Sequence, residues 1–263
     1  MSRAMGRLAI IAGTGALPAL LAARHPAAIV RLAGVEATVS AAQVIEARLE
    51  RFGALFDDLR EAGVTDLCLA GAMRRAGFDR ASLDARTAAL LPRVMAAQGQ
   101  GDDALLREIV AIFEEEGFVM RGAHELRPDL VAPEGVLAGK PPETGDAARA
   151  RAILTALGPL DVGQAAVAAQ GQLLGIETLQ GTDAMLRFVA QTAPGSGGVL
   201  VKRAKAGQDL RVDMPAIGPD TVALAAAAGL SGIELEAGHV LLLDPDAVRA
   251  ACAAHAVALW AVP

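Results

Sequence analysis

The chain has 263 residues, 53% hydrophobic and 21% charged, with a formal net charge of -6. That size and composition exclude a disordered chain and leave room for one large domain or two small ones, each with its own core. The acidic balance excludes a broad basic footprint for nucleic acid, and 3% aromatics with one Trp and no Tyr exclude an aromatic base-stacking platform. Cys68 and Cys252 each sit in an apolar run. Two lone cysteines make neither a zinc knuckle nor a disulfide framework, so buried free thiols in a reducing cytoplasm are expected.

Arg3 and Arg7 precede an uncharged block, LAIIAGTGALPALLAA, which has the outline of a secretory leader. Gly13, Gly15 and Pro18 break that block where a leader wants helix. The pattern fits a first buried strand over Leu8–Ala12, a turn over Gly13–Gly15 and a helix over Pro18–Arg24. Ala28–Leu32 reads as a second strand. Val44, Leu49, Phe52, Leu55, Phe56 and Leu59 stand at helical spacing and predict one helix over Gln43–Ala62. Asp66–Ala70 is a third strand, closed by Gly71. Strands alternating with helices predict a parallel, Rossmann-like sheet. Leu83–Ala97 and Asp103–Glu116 are further helices, the second capped by Asp102 or Asp103 and ended by Gly117. No window is long and apolar enough for a transmembrane helix.

Pro128, Pro133, Pro141 and Pro142, with Gly135, Gly139 and Gly145, mark a domain boundary. We expect an N-terminal domain over 1–132, a hinge over 133–146 and a C-terminal mixed α/β domain over 147–263. In the latter, Ala165–Ala169 and Leu173–Glu177 flank Gln170-Gly171 as a hairpin. Ile233–Glu236 and Val240–Leu243 flank Ala237-Gly238 as a second one. Val199–Val201 and Val257–Val262 are strands. Helices are expected at Ala147–Leu157, Ala184–Gln191, Thr221–Ala228 and Asp246–Ala254.

Several signals bear on chemistry. Gly13-Thr14-Gly15, between a strand and a helix, offers backbone N–H groups to a phosphate or is a plain turn. The third glycine of a dinucleotide fingerprint falls on Pro18, so that motif fails. Arg107-Glu108-Ile109 with Glu114-Glu115-Glu116 lacks the spacing of a Nudix signature and reads as a solvated helix face. His25, His124, His239 and His255 share no ligand spacing. Gly181-Thr182-Asp183 either caps a helix or presents N–H groups and a hydroxyl to a phosphate. The richest segment is VLVKRAKAGQDLRVDMPAIGP, residues 199–219. The chain has only three lysines, and Lys202 and Lys205 are both here, with Arg203, Gln208, Asp209, Arg211 and Asp213. Cations and carboxylates in a loop leaving a strand suit phosphate chemistry, the lysines meeting phosphate charge and a carboxylate holding Mg²⁺ or orienting water.

At these residues the chain resembles a known family. Gly13-Thr14-Gly15-Ala16-Leu17-Pro18, Ala70-Gly71-Ala72, Gly101-Asp102-Asp103, Pro133-Glu134-Gly135, Asp161-Val162-Gly163-Gln164 and Gly181-Thr182-Asp183 are individually weak signals. The run Lys205-x-x-Gln208-Asp209-x-Arg211-x-Asp213-x-Pro215-x-Ile217-Gly218-Pro219 is long and specific. Together they are similar to the LpxI family, which hydrolyses UDP-2,3-diacylglucosamine in lipid A synthesis, and the likeness runs from about residue 8 to the C-terminus. Ala206 stands where the family typically has Pro, and Gln180 where it often has Glu.

The resemblance implies two α/β domains with the active site between them. It also implies a hydrolase dependent on Mg²⁺ (or Mn²⁺) that yields UMP and 2,3-diacylglucosamine 1-phosphate (lipid X), water attacking the phosphorus on the glucosamine side. The protein would act in the cytoplasm, meeting the inner membrane's inner face transiently and binding no nucleic acid. A homodimer is one assembly the sequence leaves open. The essential family aspartate falls on Asp213, as metal ligand or as the group that orients water. Asp213, Asp209 and Lys202 are the expected catalytic residues. Gly13, Thr14, Gly15, Gly71, Gln164, Thr182, Asp183, Lys205, Gln208 and Arg211 are the expected substrate-binding ones. The competing readings are a non-catalytic nucleotide-sugar or lipid-phosphate binding protein on the same scaffold, and an α/β hydrolase or phosphosugar enzyme of unrelated substrate.

Overall fold

The computed structural model describes residues 5–73 and 79–263. It forms two compact units, Met1–Pro128 with Arg211–Asp213, and Asp129–Leu210 with Met214–Pro263.

The first unit is built on a five-stranded parallel sheet, ordered β3-β2-β1-β4-β5: β1 Leu8–Ala12, β2 Ala27–Leu32, β3 Val44–Ala47, β4 Asp66–Ala70 and β5 Val119–Met120. All five positions of β1 are buried, as the uninterrupted apolar run requires of a strand at the middle of a parallel sheet. Helices α1 (Leu17–Ala22), α2 (Phe52–Glu61), α3 (Ala85–Gln98), α4 (Asp102–Glu115) and α5 (Ala123–Leu126) accompany the sheet. Phe56 and Phe113, both fully buried, meet edge to face at 5.5 Å between ring centroids, flanked by Phe52 and Phe118.

Two expectations are corrected here. The segment read as one helix, Gln43–Ala62, starts as strand β3, passes through a 3₁₀ turn at Leu49–Arg51 and becomes helical only at Phe52. Val44 to Ala47 alternate outward and inward, and this period-two pattern pairs with β2, overriding the helical spacing further on. Neither Asp102 nor Asp103 caps α4. Its N-cap is Gly101, and both aspartates lie in the first turn, where Asp103 pairs with Arg107 one turn on at 2.8 Å.

The second unit carries a six-stranded mixed sheet, ordered β6-β13-β11-β9-β7-β8. Its strands are β6 Gly135–Ala138, β7 Ala165–Ala169, β8 Gln172–Ile176, β9 Val199–Lys202, β11 Gly232–Glu236 and β13 Ala258–Val262. Strands β9, β11 and β13 are parallel, while β6 and β7 run against them at either side. Alternation along the strands builds two cores. Val167, Leu200, Ile233 and Leu259 pack with Leu186, Val189, Val222 and Val248 from α7 (Thr182–Thr192), α8 (Pro219–Ala227) and α9 (Pro245–His255). On the other face Ala166, Ala168, Val199, Val201 and Trp260 pack with Ala150 and Leu154 of α6 (Asp146–Leu157). The charge within that face is satisfied: Glu234 accepts from Arg151 Nη1 at 2.5 and 2.6 Å and from the Trp260 indole at 2.9 Å.

The unit boundary falls after Pro128, and the segment expected as a hinge, 133–146, supplies β6, which pairs with β13. The Gln170-Gly171 hairpin forms as expected. The second expected hairpin does not. Both edges of β11 are already taken by β9 and β13, so the Ala237-Gly238 turn carries the chain out of the sheet. There β12 (Leu241–Leu242) pairs in parallel with β10 (Ala216–Ile217). Among the described residues no helix is long and apolar enough to cross a membrane.

In the first unit one charge closes the start of β4. Asp66 is almost wholly buried and accepts from Thr65 Oγ1 (2.7 Å), Gly6 N (2.9 Å) and Arg121 Nε (2.7 Å), Arg121 standing just past β5. Burial alone would raise this carboxyl, but the Thr65 hydroxyl, the Arg121 guanidinium and the Gly6 N–H outweigh it and hold it below the usual aspartate range. A carboxyl depressed on folding stabilises above its unfolded pKa, about 3.9, and that contribution is lost as pH falls through the lower folded value. Urea melts between pH 2.5 and 7 should therefore show the first unit losing stability below about pH 4. Asp66→Asn should remove about 3 kcal/mol at pH 7 and flatten that slope; an unchanged slope would show that Asp66 is not the titrating group.

Candidate functional site

In the second unit, charged side chains gather where β9 ends. Alternation along Val199–Lys202 turns Leu200 and Lys202 to the α7 face, and the register sets Lys202 beside Ala165 at the entry of β7 and Leu235 near the exit of β11. The carboxyl ends of parallel strands are where open α/β sheets bind ligands.

Lys202 is 6% exposed. Its Nζ donates to Thr182 Oγ1 at 2.6 Å and stands 3.8 Å from Glu177 Oε2. Glu177 follows β8, and its Oε2 is shielded from solvent with no hydrogen-bond partner. The contact with Lys202 also corrects the expected capping of α7. Thr182 is buried and turned to the lysine, the N-cap is Gly181 without a side-chain bond, and Asp183 lies exposed in the first turn, 3.6 Å from Arg187.

The next two cations along the chain have acid partners as well. Arg203 donates to Glu236 Oε1 at 2.8 Å, and Ala204 N to Glu236 Oε2 at 2.9 Å. Lys205 pairs with Asp161. Gln208 closes the turn after Lys205, its N–H donating to the Lys205 carbonyl and its Oε1 accepting from the Lys205 N–H at 2.9 Å. The Gln164 carbonyl accepts from Arg203 N at 2.9 Å. Lys202, Thr182, Lys205, Gln208 and Gln164 thus belong to one end of the sheet, with Asp209 half-buried in the loop that follows. Sequence reasoning missed Glu177 and Glu236 as acid partners. The only available signal was their place at strand ends, Glu236 closing β11 and Glu177 just past β8.

Gly163 locks this end together. Its backbone is left-handed, φ +128°, and a Cβ there would overlap the Glu177 carbonyl oxygen. Glu177 N donates to Ala165 O at 2.8 Å, so the backbone of Glu177 is held on both sides.

The remaining expected residues belong to the first unit. Gly13 N donates to Ala70 O (2.7 Å) and Thr14 N to Ala72 O (2.8 Å), while Thr14 O accepts from Ala72 N (3.0 Å). The N–H groups of Gly13 and Thr14, expected to cradle phosphate, are thus engaged in pairing two strand exits, with Gly15 beyond them exposed. The approach explains the glycines: a Cβ on Gly71, φ +90°, would sit 2.5 Å from Thr14 O, and one on Gly13 2.6 Å from Ala72 O. Arg211 pairs with Glu114 of α4 at 2.7 Å, Val212 packs on the first unit's core, and Asp213 is half-buried two residues before the buried Pro215.

Both cysteines are buried and free, as expected. Burial, with the charge of Glu125 adding to it, pushes the Cys68 thiol up to about 12, far from a reactive thiolate. Among the described residues no three His, Cys, Asp or Glu converge as a metal cage.

The chain matches known proteins along nearly its whole length. Residues 7–130 match the family model of the LpxI N-terminal domain and residues 133–260 that of the LpxI C-terminal domain. It is 40% identical over 264 residues to the UDP-2,3-diacylglucosamine pyrophosphatase LpxI of Caulobacter vibrioides, covering 94% of each chain.

Gly163→Ala tests the lock. Strain at φ +128° and the overlap with Glu177 should lower the second unit's stability by about 1–3 kcal/mol, read by urea denaturation. Wild-type stability would show that the loop relaxes freely.

Proposed function

The chain belongs to the LpxI family, and on that premise we propose that it hydrolyses the pyrophosphate bond of UDP-2,3-diacylglucosamine, giving UMP and 2,3-diacylglucosamine 1-phosphate. The observation that carries this reading is the end-to-end likeness to a pyrophosphatase of that name, 40% identical over 94% of both chains. The chemistry at the end of β9 supports it. Pyrophosphate hydrolysis needs phosphoryl charge neutralised and a water oriented, with little covalent work left to the protein. Lys202 brings a buried ammonium, which meets phosphate as a point charge and gains strength from exclusion of water. Thr182 fixes the direction of that ammonium. Lys205, Gln208 and Arg211 serve substrate binding.

Asp213 is the proposed catalytic carboxylate. Pro215, two residues on, has φ fixed by its ring and is buried, with its carbonyl accepting from Leu241 N at 2.8 Å. The acid therefore sits on stiffened chain, as a group that must hold its direction in the transition state should. A hard divalent cation fits this donor chemistry. Mg²⁺ is commonly held by one or two carboxylates together with substrate phosphate oxygens, so it needs no closed protein cage. Asp213 would hold it, and the cation would supply charge neutralisation at the phosphoryl oxygens. Because the substrate carries two acyl chains and resides in a bilayer, we infer that the enzyme meets it in the cytoplasm at the inner face of the inner membrane.

Asp213→Ala should lower kcat by roughly 10²–10⁴-fold with little change in KM or in the fold, since the group acts chiefly in the transition state. Steady-state kinetics with circular dichroism checks this. A variant retaining more than about a tenth of wild-type kcat, a loss below about 1.4 kcal/mol, would remove Asp213 from the role. Exhaustive EDTA treatment should abolish turnover, and Mg²⁺ or Mn²⁺ should restore it. Full turnover after EDTA would leave Asp213 as a direct orienter of water, and tight substrate binding without turnover would mark a non-catalytic receptor.

A further inference from the structure

The Glu177 carboxylate has an oxygen that the fold leaves unanswered. Oε2 is shielded from solvent and receives no hydrogen bond. An acceptor left in that state is destabilising, more so when charged, and native proteins seldom keep one without a use. Lys202 Nζ stands 3.8 Å away, close enough for charge attraction and too far for a hydrogen bond. An ammonium has three N–H donors, and among the described residues only Thr182 takes a hydrogen bond from this one. One buried spot therefore holds both spare donors and a spare acceptor.

This pairing restricts what fits. Inorganic phosphate would use the lysine donors, but only a P–OH proton could answer Oε2, and the anion would face the carboxylate's negative charge. A neutral sugar would fill Oε2 and could accept from the lysine through a hydroxyl, but would leave the ammonium's charge unmatched. A molecule carrying a phosphate with an N–H or O–H donor a few bonds away satisfies both. A glycosyl phosphate has this form, because the C2 substituent flanks the anomeric phosphate, and in an N-acylated glucosamine that substituent is an amide N–H.

Resting on the pyrophosphatase reading above, we propose that Glu177 is a specificity-determining residue whose Oε2 accepts a donor from the sugar of a glycosyl phosphate while Lys202 takes the phosphate. The backbone of Glu177 is fixed by its N–H bond to Ala165 O and by the packing of Gly163 on its carbonyl. The acceptor is thus prepared before the ligand arrives, which limits the ordering cost of binding.

The test is calorimetric titration of the full chain with two probes, N-acetyl-α-D-glucosamine 1-phosphate and inorganic phosphate. The wild type should prefer the sugar phosphate by about tenfold or more, the worth of one hydrogen bond to a charged acceptor. Glu177→Ala should abolish that preference, and Glu177→Gln, which retains one acceptor oxygen, should keep part of it. Phosphate affinity should hold or tighten in both variants, which also reports that the lysine remains in place. A ratio unchanged in Glu177→Ala, equal loss of both affinities, or a wild type with no preference or no binding would each overturn the proposal. Turnover of UDP-2,3-diacylglucosamine by the wild type, assayed alongside, separately tests the reading on which it rests. A Glu177-dependent preference without turnover upholds the proposal in a non-catalytic receptor, and turnover with an unchanged ratio overturns the proposal alone.

Discussion

An ammonium buried at the end of a β-strand must be answered by acceptors, and this demand organises the second unit around Lys202. Removing a charge from water costs several kcal/mol even after the surroundings relax, and a nearby carboxylate repays that only with close geometry. The Lys202–Glu177 pair lacks such geometry, at 3.8 Å with one carboxylate oxygen unbonded. The same unit shows a buried carboxylate that is fully answered: Glu234 takes two contacts from Arg151 and one from the Trp260 indole. Glu234 reads as part of the packing. Lys202 and Glu177 read as groups held ready for something else, and the beginnings of α7 and β7 are placed so as to hold them.

The first unit solves a different problem at its own strand exits. The chain leaves β1 and β4 through turns that touch backbone to backbone, which only glycine at 13 and 71 permits. Those N–H groups serve the fold, so the glycine signal there reports close approach. Within the first unit, Arg211 pairs with Glu114 and the partly buried Val212 packs against the core.

Local pattern made much of this legible in the sequence. The runs Leu8–Ala12, Asp66–Ala70 and Ala165–Ala169 are strands with those same limits because each is apolar and bounded by turn residues. Strand β3 was hidden because apolar residues downstream continue at helical spacing, and only pairing with β2 decides between the two periods. Strand β6 was hidden among prolines and glycines, and β12 finds a partner, β10, that no local rule names. Lys202 stood out because lysine is scarce and because it ends an apolar run. Glu177 did not, since its meeting with a residue 25 positions away is set by the antiparallel register of β7 with β8 and β9. Thr182 was read as either a cap or a phosphate contact because the sequence does not reveal that a buried lysine takes its hydroxyl.

The resemblance to the LpxI family implies that water attacks the phosphorus on the glycosyl side, the side that the proposed grip of Lys202 and Glu177 would hold. Hydrolysis of UDP-2,3-diacylglucosamine in ¹⁸O-water, with both products weighed by mass spectrometry, tests this most directly. The account predicts UMP of ordinary mass and 2,3-diacylglucosamine 1-phosphate carrying one heavy oxygen. Heavy oxygen in UMP, or no products at all, would contradict it.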